Sequence, residues 1–536
     1  MGWIPRIARR VTCFGVTAGL GVSCTSEAPE PDAADVVGPY TGWTDGLTSA
    51  LRTSGIPGAT VEEGGFLYRT LDDCADLVRE LGTCYGLHPA SPYLMVDFHE
   101  PDDPVELLPT YQLAQDEALL YVGHTPPSAR YFSFNHYQYL KHLPGEAPAL
   151  TFGSMAPSLS MLDFSVDGTS PYDRYAVVIT TANATTAARL DQSLRPLLAA
   201  HGVDAEVMVH PIGYADAEDA RRLRDGEVVR GAGPLDAEHV FELTMGRGEE
   251  ADWYTMAVRV AAADEPGHPY LSEQTIPAAA FRVRFDAPPG YDPFPFPQLP
   301  PPRDTAQHQG NLRAAMQIVA DALEERLHAE GRSTERVEQR HRRQRTGPDC
   351  INQVVPSCAA NNDDAHYVRT AVDLAIPDLT DPDSSVYVLG VLHRDVPGHG
   401  GDAAPPVSYS SLTLVNLRWF YGVVTLLDEQ LEGSVRGFFP DGVPGLSPAY
   451  EDSLYLQQFA RTGHCDPALP CVEIGHGPLG LAPDETFDFM ERIYMNETTG
   501  TAPGPDSVEP GFVIVAGSNL HYDPTLGAYA LNGPTP

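Results

Sequence analysis

PPGYDPFPFPQLPPPRD, from Pro288 to Asp304, sets eight prolines in seventeen residues. Each proline lacks a backbone donor and fixes φ, so the stretch suits neither a helix nor a central strand. It reads as an interdomain linker over residues 288–303, or else as a run across one domain's surface. Before it, residues 38–287 mix both kinds of element. Leu71–Leu81 has helical spacing, whereas Tyr93–His99 and Tyr131–Tyr137 read as strands. Tyr175–Thr181, Thr185–Ala200 and Glu206–His210 read as strand, helix, strand, with Leu190, Leu194, Leu197 and Leu198 at helical spacing. Phe241–Met245 and Trp253–Val260, split by a charged GRGEE turn, read as a hairpin.

Residues 304–536 open with a helix from about Asp304 to Ala329. Its apolar stripe is Leu312, Met316, Val319, Leu323 and Leu327. The continuation GRSTERVEQRHRRQRTG is a basic island, read as a solvated loop or helix end; the sharper alternative is a docking or proteolysis site. Strands return at Val386–Leu392, Val407–Leu417 and Gly511–Ala516, and Pro483-Asp484 is expected to cap a short helix with Phe487, Met490 and Ile493 inward. No repeat shows at periods of about 20–50 residues. The fold class is α+β: two mixed, strand-rich domains joined by a proline-rich segment.

With 536 residues, 42% of them hydrophobic and 9% aromatic, the chain can bury a core and is not globally disordered. Its 73 acids against 34 bases give a formal charge of −39, which repels nucleic acid and anionic membrane surfaces. Lys141 is the single lysine. A Walker-type phosphate loop is therefore excluded, and Lys141 alone is left for Schiff-base chemistry.

The first residues combine Arg6, Arg9 and Arg10 with the apolar VTCFGVTAGLGV, an export signal over residues 1–23 whose apolar run is too short to span a bilayer. Leu20-Gly21-Val22-Ser23-Cys24 resembles the bacterial lipoprotein cleavage box, with Gly21 where that box prefers Leu. The resemblance implies lipidation of Cys24; ordinary cleavage nearby is the alternative. Removal of residues 1–23 leaves 31 bases against 73 acids. Residues 24–37 then form an acidic flexible tether. The remaining cysteines fall into three close pairs, Cys74 with Cys84, Cys350 with Cys358 and Cys465 with Cys471. Without a zinc spacing, three local disulfides of an oxidising compartment are the simple reading, each worth ~2–4 kcal/mol. Cys24 is left unpaired, as lipidation requires.

Familiar catalytic signatures are missing. There is no HExxH and no G-x-S-x-G, and Gly445-Leu-Ser447-Pro-Ala449 lacks the strand that must deliver its serine. Gly475-His-Gly477-Pro-Leu-Gly480 matches a dinucleotide fingerprint only in letters, because Pro478 removes an amide and the helix signal comes late. His393, Asp395, His399 and Asp402 fall within ten residues on a glycine-rich loop after a strand. Imidazole and carboxylate together ligate a divalent metal or serve as acid and base, although a plain hairpin loop has the same composition. Asp97 and His99 share a strand face and form a second acid–base candidate. Asp378, Asp381 and Asp383 make an acidic turn that could hold calcium, but Val386 and Leu392 break the EF-hand pattern. Tyr131, Ser133, Asn135 and Tyr137 lie on one face of an aromatic strand and could stack a sugar or peptide, if that face is not simply core.

These observations lead to an exported, lipid-anchored cell-envelope protein acting as a binding or scaffold module. Its partners are the membrane, through the anchor, and an unknown envelope ligand, not nucleic acid. The alternative is an exported hydrolase, metal-dependent or not, built on the loop 393–402. A calcium-stiffened structural protein is the third reading. No cofactor is specified beyond a possible divalent metal.

Overall fold

The computed structural model describes residues 45–531 apart from 82, 85–86, 99–108, 143–147, 166–167, 216–230, 233–239, 242–243, 273, 296–309, 343–346, 348–357, 359, 371–383, 395–406, 478, 483–484, 497–499, 518–519 and 524–527. In the first half α1 (Gly46–Ser54) leads into β1 (Ala59–Arg69), followed by α2 (Cys74–Leu81), β2 (Tyr93–Asp97) and β3 (Glu117–His124). Next come β4 (Ala129–Lys141), β5 (Ala149–Ser154), β6 (Leu159–Ser160), β7 (Tyr175–Thr181), α3 (Ala184–Ala200) and β8 (Glu206–Pro211). Three short strands, β9 (Gly213–Ala215), β10 (Gly231–Ala232) and β11 (Val240–Phe241), precede the long β12 (Trp253–Ala263) and β13 (Ala278–Phe285). After β14 (Phe294–Pro295), the second half runs α4 (Gly310–Ala329), β15 (Ser333–His341), β16 (Ala365–Thr370), β17 (Ser385–Val391), β18 (Ser410–Asn416) and β19 (Tyr421–Leu427). It continues with β20 (Leu454–Arg461), β21 (Cys471–Ile474), β22 (Phe487–Tyr494) and β23 (Phe512–Gly517), and ends on a hairpin of β24 (Leu520–Asp523) and β25 (Ala528–Leu531).

Two large sheets result, and each draws on one continuous half of the chain. The first has the order β5-β4-β12-β2-β1-β13-β3-β7-β8, and the second β19-β18-β22-β16-β15-β23-β17-β20-β21. Position for position these are the same sheet. In each, the first long strand pairs through its N-terminal part with the last strand (β1 with β13, β15 with β23) and through its C-terminal part with the second (β1 with β2, β15 with β16). In each, the sole parallel contact is the outermost one, β7 with β8 and β20 with β21. The fold is a duplicated strand-rich α+β unit. Its repeat spans half the chain, far beyond the periods of about 20–50 residues that mark repeat arrays.

Helices cover one face of each sheet. Leu190, Leu194 and Leu198 of α3, with Leu47 and Leu51 of α1, pack on Leu120, Ile179 and Phe281. The α4 stripe Leu312, Met316, Val319, Leu323 and Leu327 packs on Leu389, Leu456 and Ile514. Each such leucine contributes about 1.5–3 kcal/mol when fully buried. A third cluster joins the halves: Phe132, Phe134, Tyr131 and Val258 share it with Ala365, Tyr409, Tyr494 and Met495. The described part of the proline-rich segment lies on the first half, where Asp292 accepts from the Ala184 amide and β14 pairs with β9.

Several sequence expectations need correction. The basic island is not a loop or helix end up to residue 341: it is β15, at the centre of the second sheet. Phe487–Tyr494 is strand β22, not a helix. Its aromatic and branched residues satisfy a two-residue period as well as a three-residue one, and pairing on both edges decides between them. Val240–Phe241 pairs with β10, so the expected hairpin with the strand at Trp253 does not form. Cys74–Cys84 and Cys465–Cys471 are disulfides; Cys358 is also disulfide-bonded, while Cys350 lies outside the described residues. Among the described residues no helix is long and apolar enough to cross a membrane.

Candidate functional site

Where the sheets meet, equivalent positions carry the same chemistry. On β12, Arg259 stands opposite Tyr93 of β2 and Ser133 of β4, and Arg69 of β1 lies beyond Tyr93. On β22, Arg492 stands opposite Tyr367 of β16 and Ser411 of β18, while the backbone N–H of Arg342, one residue past β15, donates to the Tyr367 carbonyl. Directly opposed residues share a sheet face. Each half therefore lays an Arg–Tyr–Arg–Ser row across its sheet.

Both rows face the seam. Arg259 donates through one nitrogen, at 3.4 Å, to the Tyr137 hydroxyl and to the Ala360 carbonyl of the other half, with its guanidinium 5.4 Å from the Tyr93 ring centre. Arg492 donates at 2.9 Å to the Thr413 hydroxyl, which lies 3.0 Å from the His88 imidazole of the first half. Burial holds His88 well below its ordinary pKa, and the Arg492 and Arg259 charges push the same way. The turn before β16 adds Asn361, Asn362, Asp363 and Asp364. Burial raises Asp364 to about 7, against the Tyr131 hydroxyl that donates to it at 2.6 Å, and raises Asp363 to about 6.

The four residues expected as a ligand-stacking face lie in this seam, and all are buried. Tyr131 packs against Tyr494 with ring centres 4.6 Å apart, and Tyr137 meets Phe152 edge-on. Asn135 donates to the Ser133 hydroxyl and accepts from Ser158. The opposite face, Phe132 and Phe134, is hydrophobic core. The strand is thus covered on both sides, and no tyrosine ring on it offers an open platform.

His393 is 1% exposed and turns into the second half-barrel, its Nε2 3.4 Å from the Glu491 carboxylate. Glu491 also accepts from the Tyr455 hydroxyl. Nearby, His341 Nδ1 and His366 Nε2 are 2.8 Å apart. Burial takes His366 down to about 3, with His341 and His393 adding to the effect, and it lowers His341 as well. Two neutral imidazoles at that distance share one N–H, the arrangement of an acid–base pair. Sequence reasoning missed these partners because they come from β15, β16, β20 and β22. Asp395, His399 and Asp402 lie outside the described residues, as do His99, Asp378, Asp381, Asp383 and Cys24. Asp97 is buried at the end of β2. Among the described residues no three His, Cys, Asp or Glu side chains are arranged to hold a metal ion.

The seam arginines were equally hidden. Tyr131-Phe-Ser133 and Tyr409-Ser-Ser411 do repeat a Tyr-x-Ser at equivalent positions, but two residues are too weak a signal to find a duplication. No protein family matches the chain, and no curated protein matches it. Among solved structures, an uncharacterised protein from Burkholderia cenocepacia is similar at 12% identity over 87% of this chain and 85% of that one, with a TM-score of 0.33, too low to carry an argument.

Proposed function

We propose that the protein is an exported cell-envelope protein, anchored by a lipid on Cys24, that acts as a binding or scaffold module, with the seam between its two sheets as the binding site. The observation that carries this reading is the polar character of the seam. A junction serving cohesion alone is best filled with apolar side chains, yet this one gathers Arg259, Arg492, Tyr93, Tyr367 and Asp364 from both halves. The two described disulfides fit an oxidising compartment.

Two measurements test the proposal. Mass spectrometry of the N-terminal peptide from the membrane fraction should find a diacylglyceryl group on Cys24, and Cys24→Ser should release the protein; unmodified, soluble wild type would refute the anchor. Because Tyr131 and Tyr137 are buried, binding is tested with Tyr131→Phe and Tyr137→Phe rather than alanine. Folded variants with unchanged capture of an envelope ligand would remove those hydroxyls from the site.

The hydrolase reading keeps one specific support, the His393–Glu491 contact beside the His341–His366 pair. It requires turnover of an ester, peptide or glycoside that His393→Ala abolishes without unfolding the chain.

A further inference from the structure

We infer that Arg259, Arg342 and Arg492 form a binding site for a small tetrahedral oxyanion, a phosphate or sulfate group, an inference that rests on the reading of the seam as the binding site. Acids outnumber bases by more than two to one in this chain, 73 to 34. Arginines elsewhere find carboxylates readily: Arg282 with Glu62, Arg336 with Glu324, Arg369 with Asp488, Arg394 with Glu432. Arg69, which occupies in the first half the place of Arg342 in the second, pairs with Asp73.

Among the described residues the three seam arginines form no such ion pair, although the charges of Asp363 and Asp364 reach Arg259 and that of Asp488 reaches Arg342. Arg259 is 4% exposed; among the described residues its Nε has no hydrogen-bond partner, and its guanidinium otherwise meets two neutral oxygens at 3.4 Å and the Tyr93 ring. The Arg492 side chain donates to the neutral Thr413 hydroxyl. Among the described residues, no carboxylate forms an ion pair with the Arg342 guanidinium. Burial holds that guanidinium below its ordinary pKa; the charges of Arg369 and Arg492 add to the effect, while Tyr367 and Asp488 oppose it. Tyr367 ties the cluster together: it stands beside Arg492 across the strand pair, accepts from the Arg342 backbone, and interacts with Arg259.

Buried charge without a full counter-charge is costly. The nearest seam acids, Asp363 and Asp364, are themselves raised by burial, so they neutralise the cluster only in part as the pH falls toward 6. A bound dianion resolves the imbalance. Guanidinium forks match a tetrahedral oxyanion with paired N–H donors, and Ser411 and Thr413 supply hydroxyls on the same sheet face. Arg342, Arg492, Tyr93 and Tyr367 are only half-buried, which leaves a route from solvent.

The test uses residues 25–536 exported to the periplasm and purified without phosphate or sulfate. Inorganic phosphate, sulfate and phenyl phosphate are compared by thermal melting and calorimetry, with chloride at matched ionic strength as reference. At a hundredfold excess over Kd, an oxyanion should raise the melting temperature by about 2 °C or more. Arg342→Met and Arg492→Met should each weaken binding at least about tenfold. Without ligand they should melt no lower than wild type, since each removes an uncompensated charge. Tighter binding of phenyl phosphate than phosphate would identify a phosphorylated molecule as the ligand, and equal binding a free anion; either supports the site. Oxyanion effects no larger than chloride's, or shifts retained in both variants, would overturn it. If succinate or a neutral disaccharide instead gives a shift that the variants lose, the seam binds a ligand other than a tetrahedral oxyanion, which overturns this site but not the binding seam. If no probe shifts the wild type and both variants melt lower, the arginines are structural and both readings fall.

Discussion

In the first half, Tyr68, Leu94, Val258 and Phe134 form a row across β1, β2, β12 and β4 inside the half-barrel; in the second half the equivalent row is His341, Val368, Glu491 and Leu412. The strand order is shared, but the chemistry is not. Where the first lumen has Val258 among apolar neighbours, the second has Glu491 held by Tyr455 and His393. A buried carboxylate survives only where donors have been assembled around it. The scaffold therefore tolerated divergence in its interior while keeping its pairing register, and the seam kept Arg–Tyr–Arg–Ser on both sides. Shared chemistry at the junction and divergent chemistry in the lumens point to the junction as the feature both halves were built around.

The comparison can be broken by exchanging lumen chemistry. Val258→Glu should destabilise the first half by on the order of 4 kcal/mol or prevent folding, because the residues directly opposite it, Leu94 and Phe134, give a carboxylate no donor; denaturant melts that match wild type would show that the lumens are interchangeable after all. The next effect concerns a glycine common to both. Gly123 and Gly390 occupy the same place in β3 and β17, Gly123 opposite Ala278 of β13 and Gly390 opposite Tyr455 of β20. A Cβ on Gly123, at φ +158°, would lie 2.4 Å from the Pro277 carbonyl, whereas one on Gly390 would meet the Tyr455 hydroxyl at 2.5 Å. Backbone yields less than a side chain. Gly123→Ala should therefore cost about 3 kcal/mol and Gly390→Ala nearer 1–2 kcal/mol, an order that urea titrations can reverse or uphold.

Seam and lumen should also respond oppositely to pH. Asp364 and Asp363 have folded-state pKa values raised to about 7 and 6. Between about pH 4 and pH 7 the folded chain thus holds more protons than the unfolded one, and stability present below pH 4 is lost as pH rises through those values. His366, at about 3, does the reverse: its contribution is present above about pH 6.5 and lost as pH falls. Asp364→Asn should flatten the decline toward neutral pH without changing the acid limb, and His366→Gln should flatten the acid limb; the opposite pattern in melting profiles would reverse the assignment. The smallest effect is expected at Arg69, whose half-buried pair with Asp73 is worth about 0.5–1 kcal/mol, so Arg69→Met should lower stability slightly where Arg342→Met does not.

Much of the local architecture was legible in the chain itself. Tyr175–Thr181 is strand β7 as its apolar run indicates, the α3 and α4 stripes are buried as their spacing requires, and two of the expected disulfides are present. These features depend on residues close in sequence, where periodicity and loop closure act directly. His393 was singled out as a chemical residue from its loop, but its partners were not, because His341, His366, Tyr455 and Glu491 arrive from four separate strands. Only tertiary structure decided that the two halves are one topology twice, that Phe487–Tyr494 is a central strand, and that Arg259, Arg342 and Arg492 converge. Strand pairing and charge compensation are relations between distant segments, and a single chain of letters carries no record of which segment will stand opposite which.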